Sequence, residues 1–339
     1  MDSKQCDYNL SDNFLPPKFG DSDTIHIAFI LVDQFSLFAL ACISEPLRVA
    51  NRLSGQHLFE FSFVTDTGKP ATASNGMKID ADYRIDTCPD DYQTFIVVSG
   101  FDPYEHASHE LYAELRRLAA NGYSLGGVDT GAQLLIKAGV MSGQRTTMHW
   151  EAASSFKEGH PTVQVVPERF LIEENRISSS GGLSSLDMML NIIWASHSYE
   201  LAADVAEQFM YHRILGANDS QRMKLRNRLM TTNRKLIKAV SLMEDNLTSN
   251  LSIREIAEKA LVSQRELERL FAKELNTTPK KYYRKLRLEH ARQLLHQTEL
   301  SVLEVSLACG FSSAAYLSAI YKDEFGIQPS KDRGLLHTP

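Results

Sequence analysis

The sequence predicts two architectures in series, an α/β layer built on a mainly parallel sheet and then an all-α domain. Three observations carry this. Between residues 25 and 128, continuous apolar runs of strand length alternate with helical segments, the pattern of parallel strands covered on both faces. From 251 to 333 a short helix-turn-helix pattern occurs twice, about fifty residues apart. The charge divides between the same two parts. Residues 222–339 hold 21 Lys+Arg against 13 Asp+Glu, net +8, whereas 1–221 hold 15 against 29, net −14, which gives the chain its −6.

In order, residues 1–23 are polar and lack an apolar core segment, so they read as a flexible tail and not as a signal peptide. IHIAFIL (25–31) is a strand and FSLFALACISEPLRVANRL a helix; FEFSFVT is the next strand, followed by a hairpin around Gly68 and Gly76. TFIVVSG (94–100) is a third strand, Leu111 to Ala120 a helix, Tyr123 to Val128 a strand, and Ala132 to Ala138 a helix directly after it. Strands near Val163–Val166 and Phe170–Ile172 and helices over Leu183–Ile193 and Leu201–Leu215 close this part. Gly216-Ala217-Asn218-Asp219-Ser220 breaks the pattern, and a helical run with an apolar stripe at Leu236, Ile237, Val240 and Met243 leads onward. A hydrophobic content of 43% suffices for packed cores, and no apolar run is long enough to span a bilayer. The 4 cysteines form no close pair, so neither a disulfide framework nor a zinc site is indicated and a reducing cytoplasm fits. Neither cofactor nor metal is expected.

In LSIREIAEKALVSQRELERLF, Ile253, Ile256 and Ala257 mark one helix face. Ser263 then caps a second helix, with Glu266 three residues on as a capping box, and Leu267, Leu270 and Phe271 face inward. Such a second helix enters the DNA major groove by its N-terminal end, which leaves Gln264, Arg265, Glu268 and Arg269 as candidate base readers. SVLEVSLACGFSSAAYLSAIYKDEFG repeats the pattern, with Tyr316, Leu317, Ile320 and Tyr321 expected inside and Ser313, Ala314, Ala315, Ser318 and Ala319 toward the groove. Between the copies, PKKYYRKLRLEHARQLL buries Tyr283, Leu286, Leu294 and Leu295 and spreads Lys280, Lys281, Arg284, Lys285, Arg287 and Arg292 over the rest. Of these, Lys281 and Arg284 are expected on DNA.

Residues 251–333 resemble the DNA-binding domain of the AraC/XylS family of transcription regulators. Ser263, Arg265, Leu267, Arg269 and Phe271 carry the likeness in the first unit; Ala308, Gly310-Phe311, Tyr316, Phe325-Gly326 and Pro329 carry it in the second. Related proteins usually have a basic residue where Ala319 stands. Most direct readout is therefore expected from the first unit, with methyl, phosphate and shape contacts from the second.

In open parallel sheets ligands bind beyond the carboxyl ends of the strands. Three strand ends stand out: Ser99-Gly100-Phe101, the sharp turn Gly126-Gly127-Val128-Asp129-Thr130-Gly131-Ala132, and His149-Trp150. This set resembles the class I glutamine amidotransferase-like fold of the PfpI branch, over roughly 24–215, which implies a flavodoxin-like parallel sheet sandwich. In those enzymes a cysteine occupies the elbow, with a histidine near it and a glutamate on the first helix; here the matching positions are Asp129, His149 and Glu45. Asp-Thr-Gly in place of Cys-x-Gly removes the thiolate that the chemistry of this scaffold needs. GVDTGAQLLIKAGVMSGQRTTMHWE and SGGLSSLDMMLNII are most similar to regulators of glycine betaine, carnitine and arginine catabolism.

The expected organisation is a tail over 1–23, an effector-sensing domain over 24–215, a linker over 216–232, a DNA-binding domain over 233–333 and a tail over 334–339. The expected function is a cytoplasmic, homodimeric transcription regulator, most simply an activator that engages promoter DNA and RNA polymerase, with no membrane contact. Its effector is a small nitrogenous metabolite such as a betaine, carnitine or a basic amino acid. Asp129, Glu45, Gly100, Phe101, His149 and Trp150 are the expected ligand contacts, the carboxylates pairing a cation and the rings facing a quaternary ammonium. The alternative is a hydrolase of the amidotransferase-like scaffold carrying a DNA-binding appendage.

Overall fold

The computed structural model describes residues 24–160, 163–173, 175–222, 225–249, 251–298 and 300–333, so the two expected terminal tails lie outside the described residues. The chain forms two compact units, one reaching to Gln221 without residues 154–160, the other comprising those residues and everything from Arg222.

The first unit contains strands β1 (Ile25–Leu31), β2 (Phe59–Thr65), β3 (Ala71–Thr72), β4 (Lys78–Ile79), β5 (Tyr83–Arg84), β6 (Thr94–Ser99), β7 (Ser124–Asp129), β8 (Arg145–Thr146), β9 (Gln164–Val165), β10 (Phe170–Glu173) and β11 (Arg176–Ser179). Its helices are α1 (Leu37–Ser54), α2 (Pro103–His106), α3 (His109–Ala120), α4 (Gly131–Lys137), α5 (Trp150–Gly159), which runs beyond it, α6 (Leu183–Ser196) and α7 (Tyr199–Gln208). Seven strands form one sheet in the order β10-β11-β7-β6-β1-β2-β5. Every pairing in it is parallel except β10 with β11.

Alternation along the strands builds two apolar layers. Ile27, Phe29 and Leu31 of β1 and Ile96 and Val98 of β6 face the helices α1, α6 and α7, whereas Ala28, Ile30, Phe95 and Val97 face α3 and α4. Both faces are thus covered, and all six residues of β6 are buried. This accounts for the unbroken apolar runs in the sequence.

The final helix of this unit is shorter than periodicity predicts. It stops at Gln208, and Met210 takes a positive φ of 53°. The chain from 211 to 221 is instead held by tertiary bonds. Fully buried Asp187 accepts from the Arg169 guanidinium at 2.6 Å, the Tyr211 hydroxyl at 2.9 Å and the Leu215 amide at 2.8 Å. Burial pushes the Asp187 carboxyl up, against the pull of the Leu215 N–H, Arg169 and Tyr211. Further along, the Gln221 side-chain amide donates to Glu168 O at 2.7 Å, Thr147 Oγ1 at 3.0 Å and Met148 O at 3.3 Å.

The second unit adds α8 (Leu225–Arg228), α9 (Arg234–Glu244), α10 (Ile253–Lys259), α11 (Gln264–Leu275), α12 (Pro279–Gln297), α13 (Val302–Ala308), α14 (Ala314–Phe325) and α15 (Pro329–Asp332). The helical run expected before the first repeat is interrupted at Met230, where φ is 49°, and restarts under an Asn233 cap. Leu236, Val240 and Met243 of α9 join Ile256, Leu267, Leu270 and Phe271 in one core. Leu288, Leu294 and Leu295 of α12 join Val305, Leu317 and Tyr321 in the other, so the connector spans both helix-turn-helix units. Asp332, 1% exposed, fastens α15 to the second core, accepting from Tyr321 Oη at 2.5 Å and pairing with Arg292 at 2.9 Å.

Candidate functional site

The strand-to-helix elbow is the most constrained point of the first unit. Only Thr130 separates β7 from α4, and Asp129 turns the chain at φ 63°, a conformation few non-glycine residues adopt. Two glycines make the turn possible. A Cβ on Gly127 would stand 2.4 Å from the Ala132 nitrogen, and one on Gly131 2.2 Å from Val97 O, so α4 rests directly on the strands.

Three other strand ends close around Asp129. The Thr130 hydroxyl donates to Gly100 O at 2.6 Å, tying the elbow to the end of β6. The His149 amide donates to Asp129 O at 3.4 Å and brings the chain after β8. Gly181, beyond β11 and at φ 87°, packs on the carboxyl itself: a Cβ there would lie 3.1 Å from Asp129 Cγ. Burial, and secondarily the charge of Glu151, push the Asp129 carboxyl up to about 7. His149 is held below the ordinary imidazole range by burial, against the opposing pull of Glu151, whose carboxylate is 3.7 Å from Nδ1. The His149 and Trp150 rings lie 5.5 Å apart and tilted by 38°.

Asp129, Gly100, His149 and Trp150 therefore come together. The Glu45 carboxylate takes a bidentate hydrogen bond from Arg48 at 2.6 and 3.0 Å, which holds its pKa below the usual carboxylate range. Phe101 is 63% exposed, and its amide donates to Gln34 O at 3.3 Å, so that N–H is already used. Glu151, Thr130 and Gly181 escaped sequence reasoning as site residues. The Gly181-Gly182 pair and the His149-x-Glu151 spacing are the signals the sequence offers for two of them.

The elbow region is acidic, with the Asp129 carboxyl under the influence of the Glu151 charge. The elbow offers a carboxyl in place of a nucleophilic thiol, and Cys42 and Cys88 are pushed up to about 12 by burial, which keeps both as inert thiols.

In the second unit, Ser263 caps α11 by accepting from the Glu266 amide at 3.1 Å. The return half of the expected capping box is absent, because Glu266 pairs with Lys235 at 3.0 Å instead. Reciprocal boxes occur one helix earlier in each repeat, at Ser252/Glu255 and Ser301/Glu304. Leu267, Leu270 and Phe271 are buried, and Gln264, Arg265, Glu268 and Arg269 are exposed on α11. On α14 the Ser313 hydroxyl is the cap, accepting from the Tyr316 amide at 3.1 Å. Ala314 and Ser318 are half-buried, and Ala315 and Ala319 exposed. Tyr316 was expected inside but is 46% exposed, because Leu317 and Tyr321 fill the core and leave Tyr316 at its rim against Phe311, 6.3 Å between centroids. Lys281 is exposed and Arg284 half-buried on α12, whereas Arg287 is buried, its guanidinium 4.0 Å over the Tyr283 ring.

A doubly wound, mainly parallel sheet in one unit and two helix-turn-helix units in the other define a DNA-binding regulator with an additional α/β domain. Comparison with known proteins agrees. Residues 26–195 match the DJ-1/PfpI family and 230–334 a helix-turn-helix domain. The HTH-type transcriptional regulator CdhR of Pseudomonas aeruginosa is 42% identical over 91% of this chain and 91% of its own. GbdR of that species is 40% identical over 94% and 86%, and ArgR 35% over 91% and 92%. A crystal structure of an AraC family transcriptional regulator from Pseudomonas putida superposes with a TM-score of 0.50 at 25% identity, over 54% of this chain and 98% of that one. The chain belongs to the AraC-type HTH transcriptional regulators that carry an N-terminal DJ-1/PfpI domain. It is a DNA-binding transcription regulator, as these three relatives, matched over more than nine-tenths of the chain, are named to be.

Proposed function

We propose that the regulator responds to a small cationic nitrogen metabolite, of the betaine, carnitine or basic amino acid type, bound at the Asp129 cleft. The carrying observation is the Asp129 carboxyl itself. It is pressed among the ends of β6, β7 and β11, its acidity is weakened by burial and by Glu151, and among the described residues no Lys or Arg pairs with it. A cation entering the cleft relieves both penalties, and the Trp150 ring offers a face for a quaternary ammonium. The names of the relatives, regulators all, support a regulatory use of such binding.

In this reading residues 24–215 sense the effector, 216–232 link, and 233–333 bind promoter DNA. The protein acts in the cytoplasm as a homodimer and activates transcription through RNA polymerase. Among the described residues no helix is long and apolar enough to cross a membrane. The test is calorimetric titration of the purified chain with glycine betaine, carnitine, arginine and related amines, repeated on Asp129→Ala. Saturable binding of one amine, lost in the variant, is expected; binding that survives in Asp129→Ala, or that no amine shows, overturns the assignment.

A further inference from the structure

The exposed face of α11 carries one group that works against general affinity for DNA. Glu268 is exposed one turn into the helix, between Arg265 and Arg269, and it makes no ion pair with Lys or Arg among the described residues. The other acidic residue near the start of this helix, Glu266, is neutralised by Lys235. A free carboxylate brought toward two phosphate strands is repelled whatever the sequence, so it weakens binding at every site unless a base edge repays it with a donor. Its orientation is not random. Gln264 Nε2 donates to Glu268 Oε1 at 3.0 Å, one turn apart on the same face, which fixes the carboxylate and leaves Oε2 free.

We propose that Glu268, positioned by Gln264, is the specificity determinant that selects a cytosine in the half-site read by α11. Guanine and thymine present acceptors in the major groove, N7 with O6 and O4 respectively, and both repel a carboxylate. Adenine presents the N6 donor but places the N7 acceptor beside it, against the second carboxylate oxygen. Cytosine offers the N4 donor with only a C–H next to it. The free oxygen of Glu268 accepts that N4 proton, and the second amide proton and carbonyl of Gln264 remain available to the neighbouring base pair.

The test is selection of a randomised DNA duplex pool by the full-length chain, sequenced, for the wild type, Glu268→Gln and Arg269→Ala. The wild type is expected to enrich a C·G pair at one position. Glu268→Gln, which replaces the acceptor by an acceptor–donor pair suited to adenine, is expected to lose that preference by roughly ten-fold or more and to shift the same position toward A·T. Arg269→Ala is expected to alter a different position. Thermal unfolding of each variant confirms that the domain is intact. If Glu268→Gln retains the cytosine preference, or raises affinity equally for all sequences, Glu268 is only a surface charge and the assignment fails.

Discussion

Asp129→Asn isolates the charge of the elbow from its shape, since Asn has the same size and also tolerates a positive φ. The carboxyl rises from an ordinary 3.8 to about 7 in the folded chain. Each tenfold change in proton affinity is worth about 1.4 kcal/mol, so the ionised side chain costs the fold about 4 kcal/mol when fully developed. The sign follows from proton occupancy. At pH values below that of the unfolded carboxyl, both states are protonated and there is no cost. As pH rises from there to about 7 the unfolded chain releases its proton while the folded chain retains it, so stability falls, and above 7 the whole cost is present. Urea unfolding of the first unit should therefore show Asp129→Asn more stable than the wild type by about 1 kcal/mol at pH 4.5 and about 4 kcal/mol at pH 8. A gain of equal size at both pH values, or no gain at pH 8, refutes the assignment of a half-buried, unpaired carboxyl. The cost is the kind that a binding site carries in its empty state and a bound cation removes.

Asp187→Asn leaves Arg169 buried without its counter-charge and weakens the hold on Tyr211 and Leu215; a loss of about 3–5 kcal/mol is expected from urea midpoints. Replacing the pair together, Asp187→Leu with Arg169→Met, should cost markedly less than the single change. Gly131→Ala places a methyl 2.2 Å from Val97 O and should lower the melting temperature by more than ten degrees or prevent folding, whereas exposed Gly143→Ala should shift it far less. Arg269→Ala should weaken binding to the operator by about 1–3 kcal/mol while leaving binding to random-sequence DNA almost unchanged, as measured by fluorescence anisotropy.

Much of the fold was legible because it depends on local pattern. The unbroken apolar runs at 25–31 and 94–99 are strands covered on both faces, and the two repeats bury Leu267, Leu270, Phe271, Leu317 and Tyr321 at helical spacing. What escaped depends on partners distant in the sequence. The end of α7 is set by Asp187, more than twenty residues upstream of Tyr211, and not by any breaker in the helix itself. Glu266 satisfies its local rule on paper but meets Lys235, 31 positions away. Tyr316 has the right spacing for the core, yet the space is already filled by its neighbours. In the site, the elbow was visible from its glycines, while Glu45 was placed from family likeness alone and its carboxylate turns to Arg48.

Gln221 closes the first unit against the segment that follows β8. Its one side-chain amide nitrogen holds Glu168, Thr147 and Met148, and His149 follows immediately, hydrogen-bonded to the Asp129 carbonyl. Loosening the chain at its exit therefore breaks bonds of the 147–149 segment, and shifting that segment strains the exit. In hydrogen exchange the amides around residue 148 and those preceding 221 should open as one cooperative unit, with a single opening free energy. Such an arrangement leaves few degrees of freedom between the 147–149 segment and the way the polypeptide leaves the first unit.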